Sequence, residues 1–316
     1  MSGGSTSRLR AGRRRAPLAY AIVVVSYLGM AGNAPLVAWA QAPEAVLLAL
    51  RMGFAALALG IVFLRRPMLS DLRRPGAAWR LLFMVAVSSV TLLLTFYAIG
   101  HTSVAVSMFL LFLMPVWVAL VAPRLFDSPR EPMVWPALAL ALAGLAVILA
   151  PDLLGEGVRG SVAGLIAALL SGFGYAAYTI SVKGLTRIVA STTISMAEAL
   201  GDTVLLLPLA VWQLNATGYR LDGRAWAAAV VMGIVCTALS YTLWIVGTAR
   251  LRVEHVTILG YIEPVVAPLY ALLLVGERLT RWTVAGGALI LAAGLVIAVF
   301  GRGEDDASAA ATVEPL

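Results

Sequence analysis

The chain has 316 residues, of which 61% are hydrophobic and 12% charged, with a formal net charge of +7. A soluble domain carries about 25% charged residues because its surface must be hydrated. A soluble enzyme, a nucleic-acid reader and a disordered tail are therefore all excluded as descriptions of the whole chain.

A helix needs about 20 mainly apolar residues to cross ~30 Å of hydrocarbon. Ten such runs follow in order, at 17–38, 44–64, 79–100, 102–123, 133–151, 160–182, 192–213, 225–248, 255–275 and 282–301. The first follows arginines between Arg8 and Arg15 and ends near Ala38-Trp39-Ala40, an arrangement shared with secretion signals. It exceeds the apolar stretch of such signals (about 7–15 residues) and contains Asn33 and Pro35, so it is read as a retained first span. Later connections are short, such as Arg65-Arg66-Pro67 and Asp127-Ser128-Pro129, and leave no room for a soluble domain. Lipid offers the backbone no hydrogen-bond partner, and no segment alternates like a barrel strand, so the spans must be helices.

Of 23 basic residues, 22 are arginine, clustered beside apolar runs as topology signals are. With the N-terminus inside, 17 basic residues fall in cytoplasmic segments and five in external ones, and Arg51 lies within a span. The expectation is cytoplasmic N- and C-termini.

A shift of 149 residues superposes Val104 on Val253, Pro115-Val116 on Pro264-Val265, Leu142 on Leu291 and Val147-Ile148 on Val296-Ile297. Each half then holds five spans, and an odd number turns the second copy upside down, the plan of many secondary transporters. The expected fold is all-α integral membrane, with ten transmembrane helices as two inverted five-helix repeats. Residues 1–16 form a basic cytoplasmic tail, 17–151 the first repeat, 160–301 the second and 302–316 a cytoplasmic C-terminal tail.

An ionisable side chain inside a span costs about 2.5–3.5 kcal/mol on insertion scales, so each needs a reason. Arg51 lies seven residues into the second span, too deep to reach the surface comfortably; it suits either a carboxylate partner or the carbonyls of a broken helix. Glu263 precedes Pro264 near the centre of the ninth span. Proline removes a backbone bond there, as Pro115 does in the fourth span, so both mark helix breaks. Glu198 and Asp202 are four residues apart and share a helix face. Two acids that close in low dielectric cannot both ionise cheaply, which suits one of them to carrying a proton. Arg51, Glu263, Asp202 and Glu198 are the candidates for substrate binding and proton coupling.

Asn33, Tyr97, Tyr175, Tyr178, Tyr241, Trp244 and Tyr261 are candidate cavity-lining residues for an amphipathic solute. Trp79, Trp212, Trp226 and Trp282 read as headgroup-belt residues. His101, Glu254 and His255 are expected at the interfaces. One cysteine, Cys236, and two histidines supply neither a disulfide framework nor a dedicated metal site. No metal, cofactor or catalytic residue is expected.

The chain also resembles the EamA-type family of the drug/metabolite transporter superfamily. The residues that carry the likeness are Gly32-Asn33, Ala49-Leu50-Arg51-Met52-Gly53-Phe54-Ala55 and Tyr261-Ile262-Glu263-Pro264-Val265-Val266-Ala267, with Gly276-Glu277-Arg278-Leu279-Thr280 and the run from Gly286 to Gly294. Ala31 stands where the family usually has tryptophan, and Arg124-Leu125-Phe126-Asp127-Ser128 replaces the first copy's G-E-R-L-T.

The resemblance implies a ten-helix exporter of small metabolites in the bacterial inner membrane. With the residues above, the expectation is proton-coupled export of amino acids, related metabolites or amphipathic drugs by alternating access. Expected partners are the lipid bilayer, a small-molecule substrate and protons, with no nucleic acid and with a homodimer left open. A permease subunit served by a separate ATPase and an intramembrane enzyme are the alternatives. The chain has no Walker A motif and no H-E-x-x-H.

Overall fold

A computed structural model describes residues 3–63, 69–102, 104–128, 130–155, 161–276 and 279–300. Arg65-Arg66-Pro67, Arg159, Glu277-Arg278 and the tail 302–316 lie outside the described residues. Ten helices among the described residues are long and apolar enough to cross a membrane. They are α1 (Pro17–Ala40), α2 (Glu44–Val62), α3 (Ala77–His101), α4 (Val106–Leu125), α5 (Val134–Pro151), α6 (Val162–Leu185), α7 (Ser191–Thr217), α8 (Gly223–Arg250), α9 (Val253–Val275) and α10 (Arg281–Phe300). Each falls within a few residues of an apolar run in the sequence, because length and hydropathy together fix where a chain can sit in hydrocarbon.

The helices pack across the two halves of the chain. The most extensive pairings are α5 with α10, α3 with α6, α2 with α7 and α1 with α8, while α4 meets α9 and α6, and α9 meets α1. This set is unchanged when the halves are exchanged: first packs on third, second on second, fourth on fourth and fifth on fifth. That is two-fold pseudosymmetry, and five spans per half require the copies to be mutually inverted. Phe112 and Tyr261, superposed by the 149-residue shift, meet on this axis. Their ring centroids are 6.0 Å apart, and the Tyr261 hydroxyl donates to the Phe112 carbonyl at 2.6 Å.

Four interruptions lie along the bundle. The helix of α4 stops at Leu111 and restarts at Met114 with Pro115 in its first turn. That of α9 passes through a 3-10 turn at Gly260–Ile262 and restarts at Glu263 with Pro264 in its first turn. These are equivalent positions of the two repeats, each caused by a proline that cannot donate to the preceding turn. α1 breaks after Met30 and resumes at Asn33. α8 widens into a π-helical stretch at Met232–Leu239.

Small residues bring the helices together. A Cβ on Gly286 would lie 2.3 Å from the Gly144 carbonyl oxygen, and one on Gly144 would lie 2.6 Å from that of Gly286. Gly172 is equally close to the Leu110 carbonyl, at 2.4 Å. In lipid, packing of this kind replaces the hydrophobic effect as the force joining helices. Gly286→Ala is therefore expected to destabilise the bundle by about 1–3 kcal/mol, since backbone cannot yield as a side chain can. A lowered melting temperature of the purified protein in detergent is the check.

Outside the spans, Asp71 ties the α2–α3 connection to the start of α7. Its carboxylate accepts from Thr193 Oγ1 at 2.7 Å and from the Ala190 amide at 3.0 Å, with Arg74 3.5 Å away. Burial alone would raise its pKa, but these two hydrogen bonds and the Arg74 charge hold it below the usual carboxylate value. A depressed native pKa gives stability that is full above the unfolded value of about 3.9 and is lost as pH falls through the native one. Asp71→Ala should cost about 0.5–2 kcal/mol, as loss of a helix cap does. The gap from wild type should close when melting is followed below that native pKa.

Candidate functional site

Of the four ionisable residues singled out within the spans, Arg51, Glu198 and Asp202 are buried and Glu263 is half-buried, and Arg51 interacts electrostatically with all three acids. Arg51 sits on α2, where α8 approaches so closely that a Cβ on Gly233 would lie 2.7 Å from the Arg51 carbonyl oxygen. The π-helical stretch of α8 begins one residue earlier, and such bulges occur frequently at functional sites. The Arg51 residue is 8% exposed. Its Nη2 donates to the Tyr241 hydroxyl at 3.5 Å, and its Cζ lies 5.8 Å from the centroid of that ring. Its Nε has no hydrogen-bond partner, and among the described residues no carboxylate oxygen lies within 4.0 Å of the guanidinium. Arg51 nevertheless interacts electrostatically with Glu198, Asp202 and Glu263.

Glu198 and Asp202 are buried on α7, at 5% and 2% exposure. The Tyr178 hydroxyl of α6 donates to Glu198 Oε2 at 2.8 Å. Two adjacent serines of α3 hold Asp202: Ser89 Oγ donates to Oδ1 at 2.9 Å and Ser88 Oγ to Oδ2 at 3.4 Å. Glu263, half-buried, opens the second segment of α9 beside the proline break.

An aromatic wall joins these groups. The Tyr178 ring stacks on Trp244 at 6.0 Å with an interplanar angle of 3°. Trp244 Nε1 donates to the Tyr27 hydroxyl at 2.9 Å, and that hydroxyl donates to the Val256 carbonyl at 3.0 Å. Tyr175 packs on Tyr178 and Tyr241 on Trp244, and Tyr175 interacts electrostatically with both Glu198 and Glu263. A cleft with room for about one water lies beside Glu198, lined by Met52, Leu59, Ser195, Thr237 and Tyr241 among others.

Three aromatic or polar candidates are placed otherwise. Tyr97 is 45% exposed at the end of α3, where its ring stacks on His101 at 4.0 Å. Tyr261 is fully buried against Phe112, with its hydroxyl on a backbone carbonyl, so it braces the α4–α9 contact and lines no cavity. Asn33 closes the α1 break by donating to the Met30 carbonyl at 2.9 Å, and its Oδ1 has no partner. Tyr27, Ser88 and Ser89 belong to the site without having been singled out in the sequence. A tyrosine or a serine pair in mid-span is a weak signal, because serine in a helix also bonds to its own backbone, as Ser89 does to Val85.

Glu254 and His255, expected at an interface, do open α9 but are enclosed by protein, at 4% and 0% exposed. His255 Nε2 lies 2.7 Å from Glu131 Oε2, and its Nδ1 lies 2.6 Å from the Tyr20 hydroxyl. Arg252 completes the group, with Nε 3.5 Å from Glu131 Oε2 and Nη2 3.3 Å from Glu254 Oε1. The α8–α9 connection is covered by the α4–α5 connection and α1, an arrangement that local sequence does not reveal.

Ten spans in two exchange-symmetric repeats, with helices broken at equivalent prolines around a buried charged centre, define a membrane transporter architecture. The comparisons with known proteins agree. The chain belongs to the EamA-like transporter family, whose model matches residues 17–150 and 162–299, so α1 is part of the family fold.

An uncharacterized transporter of Bacillus subtilis, YwfM, is 28% identical over 235 residues, covering 74% of this chain and 78% of its own. An uncharacterized transporter of Archaeoglobus fulgidus is 29% identical, covering 72% and 78%. A probable amino-acid metabolite efflux pump of Salmonella typhimurium is 27% identical over 172 residues, covering 52% and 56%. A crystal structure superposes with a TM-score of 0.75 at 20% identity, covering 90% of this chain and 98% of the other, and speaks to the fold alone.

Proposed function

We propose that the chain is a secondary transporter that exports amino acids or related carboxylate-bearing metabolites across the bacterial inner membrane in exchange for protons. Both termini face the cytoplasm in this reading. The observation that carries it is Arg51, a buried guanidinium with one long hydrogen bond and an unpartnered Nε. A buried cation is costly unless paired and hydrogen-bonded, and a carboxylate is the partner its planar fork fits best. The efflux-pump relative, named for amino-acid metabolites, supports the same substrate class.

In this mechanism Arg51 takes the substrate carboxylate and Glu263 faces its ammonium group. The Tyr178, Trp244 and Tyr241 rings flank the side chain. Glu198 and Asp202, one helical turn apart, carry the exchanged proton, since only one of them holds a charge cheaply at a time. The cleft beside Glu198 is too small for a metabolite, so substrate enters when one repeat rocks against the other. The test is uptake of labelled amino acids into proteoliposomes with and without an imposed pH gradient. Accumulation driven by the gradient supports the reading, and flux indifferent to it removes proton coupling.

A further inference from the structure

We propose that Tyr20, Glu131, Arg252 and His255 form a latch that seals the end of the bundle bearing the N-terminus, and that this latch parts whenever that end opens. The proposal shares with the transport reading the premise of alternating ends. It needs neither the substrate nor the proton coupling to be as described above.

Four observations carry it. First, the group lies apart from the central site: His255 precedes Glu263 on α9 by eight residues, about 12 Å of helix. Second, its bonds cross between the repeats. Tyr20 on α1 and Glu131 between α4 and α5 belong to the first half, while Arg252, Glu254 and His255 belong to the second. His255 has one ring nitrogen on each first-half residue, with Tyr20 at 2.6 Å and Glu131 at 2.7 Å, and Arg252 reaches Glu131 at 3.5 Å. Tyr20 also lies 3.4 Å from the Ile297 carbonyl of α10.

Third, the second-half residues are held in place. Lys183, at the end of α6 and 3% exposed, donates to the Thr248 and Leu251 carbonyls at 2.9 and 2.8 Å. A cation there satisfies the last turn of α8 and fixes the connection that carries Arg252 and His255. Fourth, the positions equivalent to this group at the opposite end carry no charge. The 149-residue shift carries Glu131 to Thr280, Arg252 to Ser103, Glu254 to Ala105 and His255 to Val106, none of them charged. An inverted repeat has two equivalent ends, and among the described residues an ionic group of this kind lies at only one.

Removing one member of a buried ionic group weakens the contacts that join the repeats, so the closed arrangement loses part of its advantage. Cys236 provides a native reporter: it is the single cysteine, 3% exposed in mid-α8, and close to Arg51 electrostatically. The experiment uses the full chain in sealed vesicles with a tag locating the N-terminus. A small charged methanethiosulfonate is added from that side, and the rate of Cys236 modification is measured.

Glu131→Gln and His255→Ala are expected to raise that rate by about tenfold or more, because each removes the charged contact that joins Glu131 to His255 across the repeats. Thr280→Ala, at the uncharged equivalent position, should leave it at the wild-type value. Wild-type labelling rates in folded Glu131→Gln and His255→Ala protein would overturn the latch. Should those variants fail to fold, Tyr20→Phe removes a single hydroxyl and is expected to raise the rate by about threefold, as loss of one hydrogen bond does; no rise there overturns the proposal equally. Labelling requires no substrate, so a failed transport assay leaves this test intact.

Discussion

Replacing Arg51 with leucine is expected to reduce amino-acid flux by about 100-fold, the scale set by losing one buried charge-assisted carboxylate pair. The loss should appear mainly as a raised KM, because the interaction forms when substrate binds. Arg51→Lys keeps the charge but not the planar fork, and should fall between the two, about tenfold down. Arg51→Leu also leaves Glu198, Asp202 and Glu263 without the cation they interact with, so a drop by itself is ambiguous. The ambiguity is removed with a decarboxylated amine as substrate: its flux should fall far less. Equal losses for the amine and the amino acid would assign Arg51 to holding the acids together.

The second large effect concerns the acid pair on α7. Glu198→Gln is expected to bring flux with and without a pH gradient to within about twofold of each other, because coupling requires a group that gains and loses the proton. Exchange of labelled for unlabelled substrate should persist, since the substrate carboxylate rests on Arg51. Asp202→Asn should act in the same direction, with an added structural cost from disturbing the Ser88 and Ser89 hydroxyls that now donate to it. Gradient-stimulated flux at the wild-type level in both variants would place proton coupling elsewhere, with Glu263 as the remaining acid of the cluster.

The parts of this molecule legible in the sequence are those fixed by one-dimensional physics. Ten spans follow from apolar length, and the two repeats follow from the equal span count with the Pro115 and Pro264 register. The burial of Arg51, Glu198 and Asp202 follows from the rule that an ionisable group within a span must turn away from lipid. Residues whose role depends on which helices meet were not legible. Tyr27 is one tyrosine among apolar neighbours until α1 packs on α8 and places its hydroxyl on Trp244. Glu131 reads as part of a short polar connection, yet it folds over His255 at 2.7 Å. Tyr261 shows the converse: a mid-span tyrosine beside the Glu263-Pro264 pair looks like a cavity residue, but the pseudo-two-fold axis turns it onto Phe112.

The charges are unevenly shared between the repeats. Glu198, Asp202 and Glu263 belong to the second half and Arg51 to the first, so the central site exists only when the halves are together. The Glu131–His255 group likewise spans both halves. Both clusters therefore sit where a rocking motion would make and break contacts, which ties the two functional proposals to the same feature of the fold.

Competition by matched analogues tests the central claim most directly. Flux of a labelled amino acid into wild-type proteoliposomes would be measured against its unlabelled form, its carboxamide and its decarboxylated amine. If the Arg51 guanidinium receives the substrate carboxylate, the parent amino acid should compete about 100-fold better than either analogue lacking that group. Equal competition by all three compounds would contradict it.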